Sequence, residues 1–528
     1  MQLTIERNGV TTTIAAEAGK TIAVLLKEAD KLLDVPCGGR GSCGKCKVFA
    51  SGALSPLSEQ ERQRLTQAEQ DAGVRLACQT TVQGDAWVRC QADAPTRILT
   101  DGQMPKFPLR PWAKGYGVAI DVGTTTLAAY LLRLSDGEQV AVASLQNPQT
   151  AFGADVITRM GAAANGQGAA LKAAVVGGVN TLVDTLAQRS GVSPEQVAAL
   201  VVTGNTAMLY LLCGYDPTAL LTVPFRQDHY FGKAFCPTAL GVKLPNAVGC
   251  FPRCISSYIG ADLTTAALIA SLHTADESAP TRVLMDIGTN GEMLLSYRGK
   301  TFGCSTAAGP TFEGAGVTMG MAAKNGAIAH VRLVDGQFVL ETIGGGKPVG
   351  VCGSGVIDAV AALLEAEIID ETGRLYETGH DYPQCMAPYA GRIAFRFPNT
   401  DVYFTQADVR AVQLAKAAIA AGLIAMLHRA KCPTDAVDSL LLAGGFGNVI
   451  DVPAAVRIGL LPKALQNRTC GVGNAAGMGA VALLQDGTLK DASASFAKHV
   501  VTVELATDPC FVQAFTDQML FPESDELN

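Results

Sequence analysis

Histidine is scarce in this chain. There are six in 528 residues and none is clustered, which argues against a histidine-built metal site. No uninterrupted apolar run reaches the roughly 18 residues that would cross a bilayer. The nearest candidate, 411–427, is broken by Lys416 and predicts a buried helix. The first residues, Met1-Gln2-Leu3-Thr4-Ile5-Glu6-Arg7, lack the apolar core of a secretory signal. Positive charge is not in excess: the net charge is −7, which argues against nucleic acid or an anionic membrane surface as partner. Charged residues make up 17% and hydrophobic ones 48%, enough apolar material for large cores in two to four domains. There is no low-complexity segment. Most cysteines are scattered through apolar or glycine-rich contexts, as reduced, buried thiols of a cytoplasmic protein would be.

Four cysteines are not scattered. Cys37, Cys43 and Cys46 form C-x5-C-x2-C, and Cys78 follows in Leu76-Ala77-Cys78. Thiolates at that spacing hold a 2Fe–2S cluster; a zinc site is the alternative, and the five-residue gap is unusual for it. Glycines throughout 37–46 let backbone N–H groups turn toward the sulfurs. Gly39-Arg40-Gly41-Ser42-Cys43-Gly44 formally matches a dinucleotide fingerprint, but no amphipathic helix follows it. Gly19-Lys20-Thr21 resembles the end of a P-loop, with Ile14 where its first glycine should stand. Around the cysteines, Asn8-Gly9 between two β-prone runs predicts a tight hairpin. Apolar spacing predicts a helix over 21–33, and a polar helix is expected over 58–69. The expected unit is a β-grasp ferredoxin domain over 1–94. Prolines at 95, 105, 108 and 111 mark 95–114 as a linker; if mobile, it would let the cluster domain swing.

The remainder contains an internal repeat. Val118-Ala119-Ile120-Asp121-Val122-Gly123-Thr124-Thr125-Thr126 is echoed by Val283-Leu284-Met285-Asp286-Ile287-Gly288-Thr289-Asn290-Gly291. Each copy is an apolar strand carrying one Asp, then a Gly-Thr turn, then a second apolar run. Two copies predict two similar α/β lobes facing each other, 115–280 and 281–528. An Asp inside an apolar strand needs a cation or a donor. Two at repeated positions suggest a shared Mg²⁺ with its waters, and the turns offer N–H groups and hydroxyls to phosphate. The alternative is a buried Asp capping a turn. Leu441-Leu442-Ala443-Gly444-Gly445-Phe446-Gly447 would let a flat base or ribose approach the backbone, or make a plain tight turn. The small residues of 473–480 permit close helix packing.

In this order the motifs resemble the acetate and sugar kinase/Hsp70/actin superfamily. Asp121–Thr126 matches its first phosphate motif, Asp286–Gly291 its second, 441–447 its adenosine motif and 473–480 its second interlobe helix. Val201-Val202-Thr203-Gly204-Asn205-Thr206 matches a turn near the first interlobe helix. The resemblance implies that Asp121 and Asp286 hold Mg²⁺ and its waters. Gly123, Thr124, Thr125, Thr126, Gly204, Asn205, Gly288, Thr289, Asn290 and Gly291 would surround ATP phosphates, and Gly444, Gly445, Phe446 and Gly447 would bound the adenosine. Glu313, in a glycine-rich turn, is a candidate to orient the attacking water; a capping Glu is the alternative. Gly353 and Ser354 would line ribose or phosphate, or simply start a helix.

A ferredoxin segment fused to such lobes resembles the ATP-dependent reductive activators of corrinoid-dependent methyltransferases. The likeness extends through Asn147–Ile157, Thr306–Ala315 and Cys352–Gly355. It implies ATP-driven one-electron reduction of a partner's corrinoid from Co(II) to Co(I). An upstream ferredoxin, flavodoxin or reductase would supply the electron, and a homodimer is left open. No D-x-H-x-x-G motif occurs, so the corrinoid would belong to the partner. The chain is shorter than some members between cluster domain and lobes, which argues against a separate middle domain and any dimer contact built from it. Rival readings are a redox-regulated small-molecule kinase and an Hsp70-like nucleotide-dependent clamp with a structural cluster.

Overall fold

In the computed structural model the described residues are all but 8–9, 30–32, 34, 36–38, 42–43, 91–104, 275, 448 and 524–528, and the side chain of Phe446. The expected Asn8-Gly9 turn, Cys37, Cys43 and the first half of the linker, 95–104, therefore lie outside the described residues.

The N-terminal domain is a five-stranded mixed sheet. Strands Gln2–Arg7, Val10–Ala15, Lys47–Leu54, Val74–Leu76 and Val82–Arg89 lie in the order second, first, fifth, third, fourth. Strand alternation buries Leu3 and Ile5 against Ile22, Leu25 and Leu26 of the helix Ile22–Glu28, the β-grasp arrangement. Thr21 caps that helix by accepting from Val24 N–H. The polar helix expected over 58–69 is two helices, Glu59–Arg64 and Gln67–Asp71. The break has a local cause: Ser58 with Glu61 and Thr66 with Glu69 are both capping boxes, so a second start signal interrupts the first helix.

The repeat folds as duplicated sheets. In the first, Tyr116–Val122 is flanked on one side by antiparallel Thr126–Arg133 and Glu138–Gln146, and on the other by parallel Val197–Gly204 and Val248–Cys250. In the second, Arg282–Ile287 stands between antiparallel Gly291–Tyr297 and Lys300–Thr306 and parallel Ser439–Ala443 and Thr469–Gly473. The helix Gly168–Ser190 covers the outer face of one sheet and Gln406–Ala430 that of the other. Between the inner faces lie helices Ala261–Ile269 and Ala475–Gln485, whose residues share one core with both sheets. Gly479 meets Thr265 where these helices cross; its missing Cβ is the space the Thr265 backbone occupies. Thus the helix expected at 473–480 forms, and it packs under the first lobe's sheet although it belongs to the second repeat.

Between 307 and 405 the second lobe carries an insertion with two three-stranded sheets and the helix Gly353–Glu365. Among the described residues, two helical stretches are long and apolar enough to cross a membrane. One, Gln406–Ala430, is 78% buried over its apolar window, the buried helix expected around Lys416; the other, 156–190, is kinked at Asn165 and Gly166. The linker expectation needs a correction at its C-terminal end. Arg110 pairs with Asp486 at 2.7 Å and Trp112 Nε1 donates to the Leu483 carbonyl at 2.9 Å, so the chain is pinned to the helix 475–485 from Arg110 onward.

Candidate functional site: the cleft between the lobes and the cysteine loop

The two Asp residues occupy equivalent positions. Asp121 pairs with Ala128 and Thr203, Asp286 with Glu292 and Ala443. The turn after each closes alike, with Gly123 N–H donating to Thr126 O and Gly288 N–H to Asn290 O, both at 2.9 Å. Asn147 Nδ2 braces the first turn by donating to Gly123 O at 2.8 Å, and Asn205 Nδ2 donates to Thr124 Oγ1 at 3.1 Å. The turn 203–206 abuts the start of helix Ala261–Ile269, since a Cβ on Gly260 would lie 2.8 Å from Thr206 N.

Glu313 joins the two turns. Thr125 Oγ1 donates to Glu313 Oε2 and Thr289 Oγ1 to Glu313 Oε1, each at 2.8 Å. One carboxylate from the second lobe's insertion therefore bridges both repeats.

The electrostatics of the cleft are unbalanced. Loss of solvent pushes the Asp121 carboxyl up to about 7, partly countered by a hydrogen bond with Asn474 and reinforced by Asp286. Asp286 rises to about 6, from burial and then from Glu313. Asp262, in the first turn of helix Ala261–Ile269, is raised by burial and then by Asp286. Glu292 is raised by burial and then by Asp262, and its buried Oε1 has no hydrogen-bond partner. Acidic groups held this way call for a cation. Among the described residues no three His, Cys, Asp or Glu side chains form a direct metal-binding group.

Of the remaining expected residues, Gly444 (φ +82°) stands against Asp286; a Cβ there would lie 2.5 Å from Asp286 Oδ1. Gly445 is exposed. Gly447 is buried against Leu442, and Gly291 faces Thr306 Oγ1 and Ile419, so these two serve close packing. Gly353 and Ser354 are corrected: both are buried in the first turn of helix Gly353–Glu365, and the Ser354 hydroxyl donates to the Ala329 carbonyl at 2.9 Å. They start a helix, the second of the two readings of this segment. Sequence reading missed Asp262, Glu292 and the bracing roles of Asn147 and Asn474. Glu292 carried the same signal as Asp121, an acid within an apolar strand.

In the cysteine loop, Cys46 and Cys78 are both buried. Ala77 N–H donates to Cys46 O at 2.9 Å, tying the two ligand segments together. Gln79 Nε2 reaches Gly39 O at 2.7 Å and lies 3.5 Å from Cys78 Sγ. Gly39, Gly41 and Gly44 all have positive φ, and a Cβ on Gly41 would strike the Gln79 side chain. The described half of the loop fits a thiolate-held cluster.

Comparison with known proteins agrees. A family model described as a 2Fe-2S iron-sulfur cluster binding domain matches residues 5–83. The RACo middle region matches 116–275, and the C-terminal domain of RACo, the ASKHA domain, matches 280–527. The corrinoid activation enzyme RamQ of Eubacterium limosum is 32% identical over 431 residues, covering 78% of this chain and 71% of RamQ. The chain belongs to the RACo-type family of corrinoid activators. A Co(II) methylated amine-specific corrinoid protein reductase of Methanosarcina barkeri is 24% identical, over 66% of each chain. A solved reductive activator for corrinoid, iron-sulfur protein superposes over 99% of both chains with a TM-score of 0.69 and 26% identity. The family's middle region thus falls on the first lobe itself, with its sheet centred on Asp121.

Proposed function

We propose that this RACo-type protein uses ATP to drive one-electron reduction of a partner's corrinoid from Co(II) to Co(I). What carries the reading is one juxtaposition: Glu313 bridges the Gly-Thr turns of both repeats beside carboxylates that lack a counter-charge. The Mg²⁺ that accompanies a triphosphate supplies that counter-charge, and the phosphates take the turns' hydroxyls and N–H groups. Bound at Cys37, Cys43, Cys46 and Cys78, a 2Fe–2S cluster would supply a one-electron donor near −400 mV.

The chain's own residues have definable tasks. Asp121 and Asp286 hold the hydrated cation, and Asp262 and Glu292 add to its field. Thr124, Thr125, Thr289 and Asn290 offer hydroxyls, an amide and N–H groups to phosphate oxygens. Once phosphate displaces Thr125 and Thr289 from Glu313, its carboxylate is placed to orient water for attack on the terminal phosphorus. Gly445, with open space where a Cβ would stand, leaves room for the nucleoside, and Gly444 lets the backbone pass close to Asp286. Closure of the lobes on ATP favours docking of the corrinoid protein, and hydrolysis reverses it. ATP acts only through its different affinity for the two forms.

The test is anaerobic. Reduced protein, ATP and Mg²⁺ are mixed with a Co(II) corrinoid protein, and the visible spectrum is followed for Co(I). The expected result is Co(I) formation that needs the triphosphate and is abolished by Cys43→Ala with ATPase intact. Equal reduction without triphosphate, or purified protein free of iron and acid-labile sulfide, overturns the reading. A phosphorylated small molecule as product would point to a kinase, and activity untouched by Cys43→Ala to a clamp.

A further inference from the structure

The cluster domain touches both lobes. On the first-lobe side, Lys27 of helix Ile22–Glu28 sets Nζ 3.5 Å from the centroid of the Phe152 ring and donates to Gln167 Oε1 at 3.1 Å. On the second-lobe side Lys45, inside the cysteine loop next to Cys46, donates to the Gly320 carbonyl at 2.7 Å and the Val317 carbonyl at 3.3 Å.

Each anchor lies a short covalent and hydrogen-bonded path from one Gly-Thr turn. In the first lobe Asn147 grips the turn twice, through Nδ2 to Gly123 O and through its N–H to Thr125 O, both at 2.8 Å. Asn147 also caps the single-turn helix Pro148–Phe152, whose last residue is the ring under Lys27. In the second lobe Glu313, bonded to Thr289 and Thr125, ends the turn Pro310–Glu313. The chain then runs through a tight loop to the two carbonyls that receive Lys45. That loop is folded on itself: a Cβ on Gly314 would collide with the Met321 backbone, and one on Gly320 with Gly314. Met321 N–H and Val351 N–H lock its far end by donating to Val351 O and Met319 O at 2.9 Å. Segments packed this closely shift as units and do not bend gradually.

We propose that Lys27 and Lys45 are positioning residues that couple the pose of the cluster domain to the occupancy of the cleft. The proposal rests on the reading of the cleft as a nucleotide site. Phosphate bound at the turns displaces Thr125 and Thr289 from Glu313 and changes the spacing of the two lobes. The anchor points at Phe152 and at 317–320 then move apart or together, and a rigid domain held at both must turn or release one of them. The electron carrier is thereby reoriented in step with ATP, with no contact between cluster and nucleotide.

The test uses the full chain with its cluster and a non-hydrolysable ATP analogue, read by hydrogen exchange and by the electron paramagnetic resonance signal of the reduced protein. Wild type is expected to change exchange at 123–126 and 288–291, at 316–321, and in the cluster domain around Lys27 and Lys45. In Lys27→Ala/Lys45→Ala the change at the two turns and the basal ATPase persist and the change in the cluster domain disappears, whereas Lys27→Arg/Lys45→Arg keeps it. If Lys45→Ala loses iron, Lys27→Ala with Phe152→Leu tests the first-lobe anchor alone, with loss of the cluster-domain response again expected. A cluster-domain response equal to wild type in these variants overturns the proposal, as does a wild type that answers at the turns only. No change at the turns and no bound analogue would instead sink the nucleotide reading beneath it.

Discussion

In the first lobe the third strand, Glu138–Gln146, reaches the outer helix Gly168–Ser190 through one single-turn helix, a short helix and a kink. In the second lobe the same step, from Lys300–Thr306 to Gln406–Ala430, runs through residues 307–405 with two small sheets and another helix. The duplicated part places Asp121 and Asp286 alike, while Glu313 and the carbonyls that receive Lys45 come only from the longer connection. Duplication builds a near-symmetric pair of Asp-bearing strands and Gly-Thr turns. The inserted segment breaks the symmetry, supplying a carboxylate that reaches across and a ledge for the electron carrier.

If the two Asp residues are equivalent, Asp121→Asn and Asp286→Asn should each slow ATP hydrolysis by about 10²–10³-fold, as lost charge stabilisation does, measured by phosphate release. Loss in only one lobe would break the comparison. The same pair reads the electrostatics. Both carboxyls have folded-state values raised above the ordinary 3.8, so the protonated form favours folding. Nucleotide-free protein should therefore lose thermal stability as pH rises from near 4 through about 7 for Asp121 and about 6 for Asp286. Asp121→Asn should flatten that slope more than Asp286→Asn, and Mg²⁺ with nucleotide should flatten it in wild type.

Glu313→Gln tests the asymmetric element. Hydrolysis should fall about 10²-fold, typical of removing a general base, with nucleotide affinity nearly kept. An equal fall in affinity would make Glu313 a phosphate-turn brace only.

Gly204 ends the strand Val197–Gly204 and Gly444 directly follows the equivalent strand Ser439–Ala443, yet their missing Cβ atoms leave room for different things. In the first lobe it is the Val122 carbonyl; in the second it is the Asp286 carboxylate. Each Ala substitution should cost about 1–2 kcal/mol, from the strained backbone or the close contact. Only Gly444→Ala should also weaken nucleotide binding, as titration calorimetry would show. The smallest effect belongs to the insertion's surface. Lys347 and Asp401 pair at 2.8 Å but are 70% and 77% exposed, so Lys347→Ala should shift stability by less than about 0.5 kcal/mol.

Much of this was legible because some chemistry depends on short spacing. The repeat of Asp, one apolar residue and Gly-Thr is local, and each copy forced a strand–turn–strand unit that the fold contains. Ser354 misled because Gly-Ser-Gly suits a ligand turn and a buried helix start equally well; the Ala329 carbonyl decides between them. The break at Leu65–Thr66 was written in two successive capping boxes that periodicity alone passes over. Asp262 and Glu292 were invisible as a pair, since 30 residues of chain and a lobe boundary separate positions that share one desolvated space.

The sequence by itself determined the two strand–turn–strand units and, with the cysteine spacing, the family, because each unit is written in a short run of consecutive residues. Only the tertiary structure decided that Glu313 spans both turns, that helix 475–485 crosses under the other lobe, and that Lys27 and Lys45 seat the electron carrier on both sides of the cleft. Those contacts join residues tens to hundreds of positions apart, and it is packing of the two sheets about their shared helices that brings them within hydrogen-bond reach.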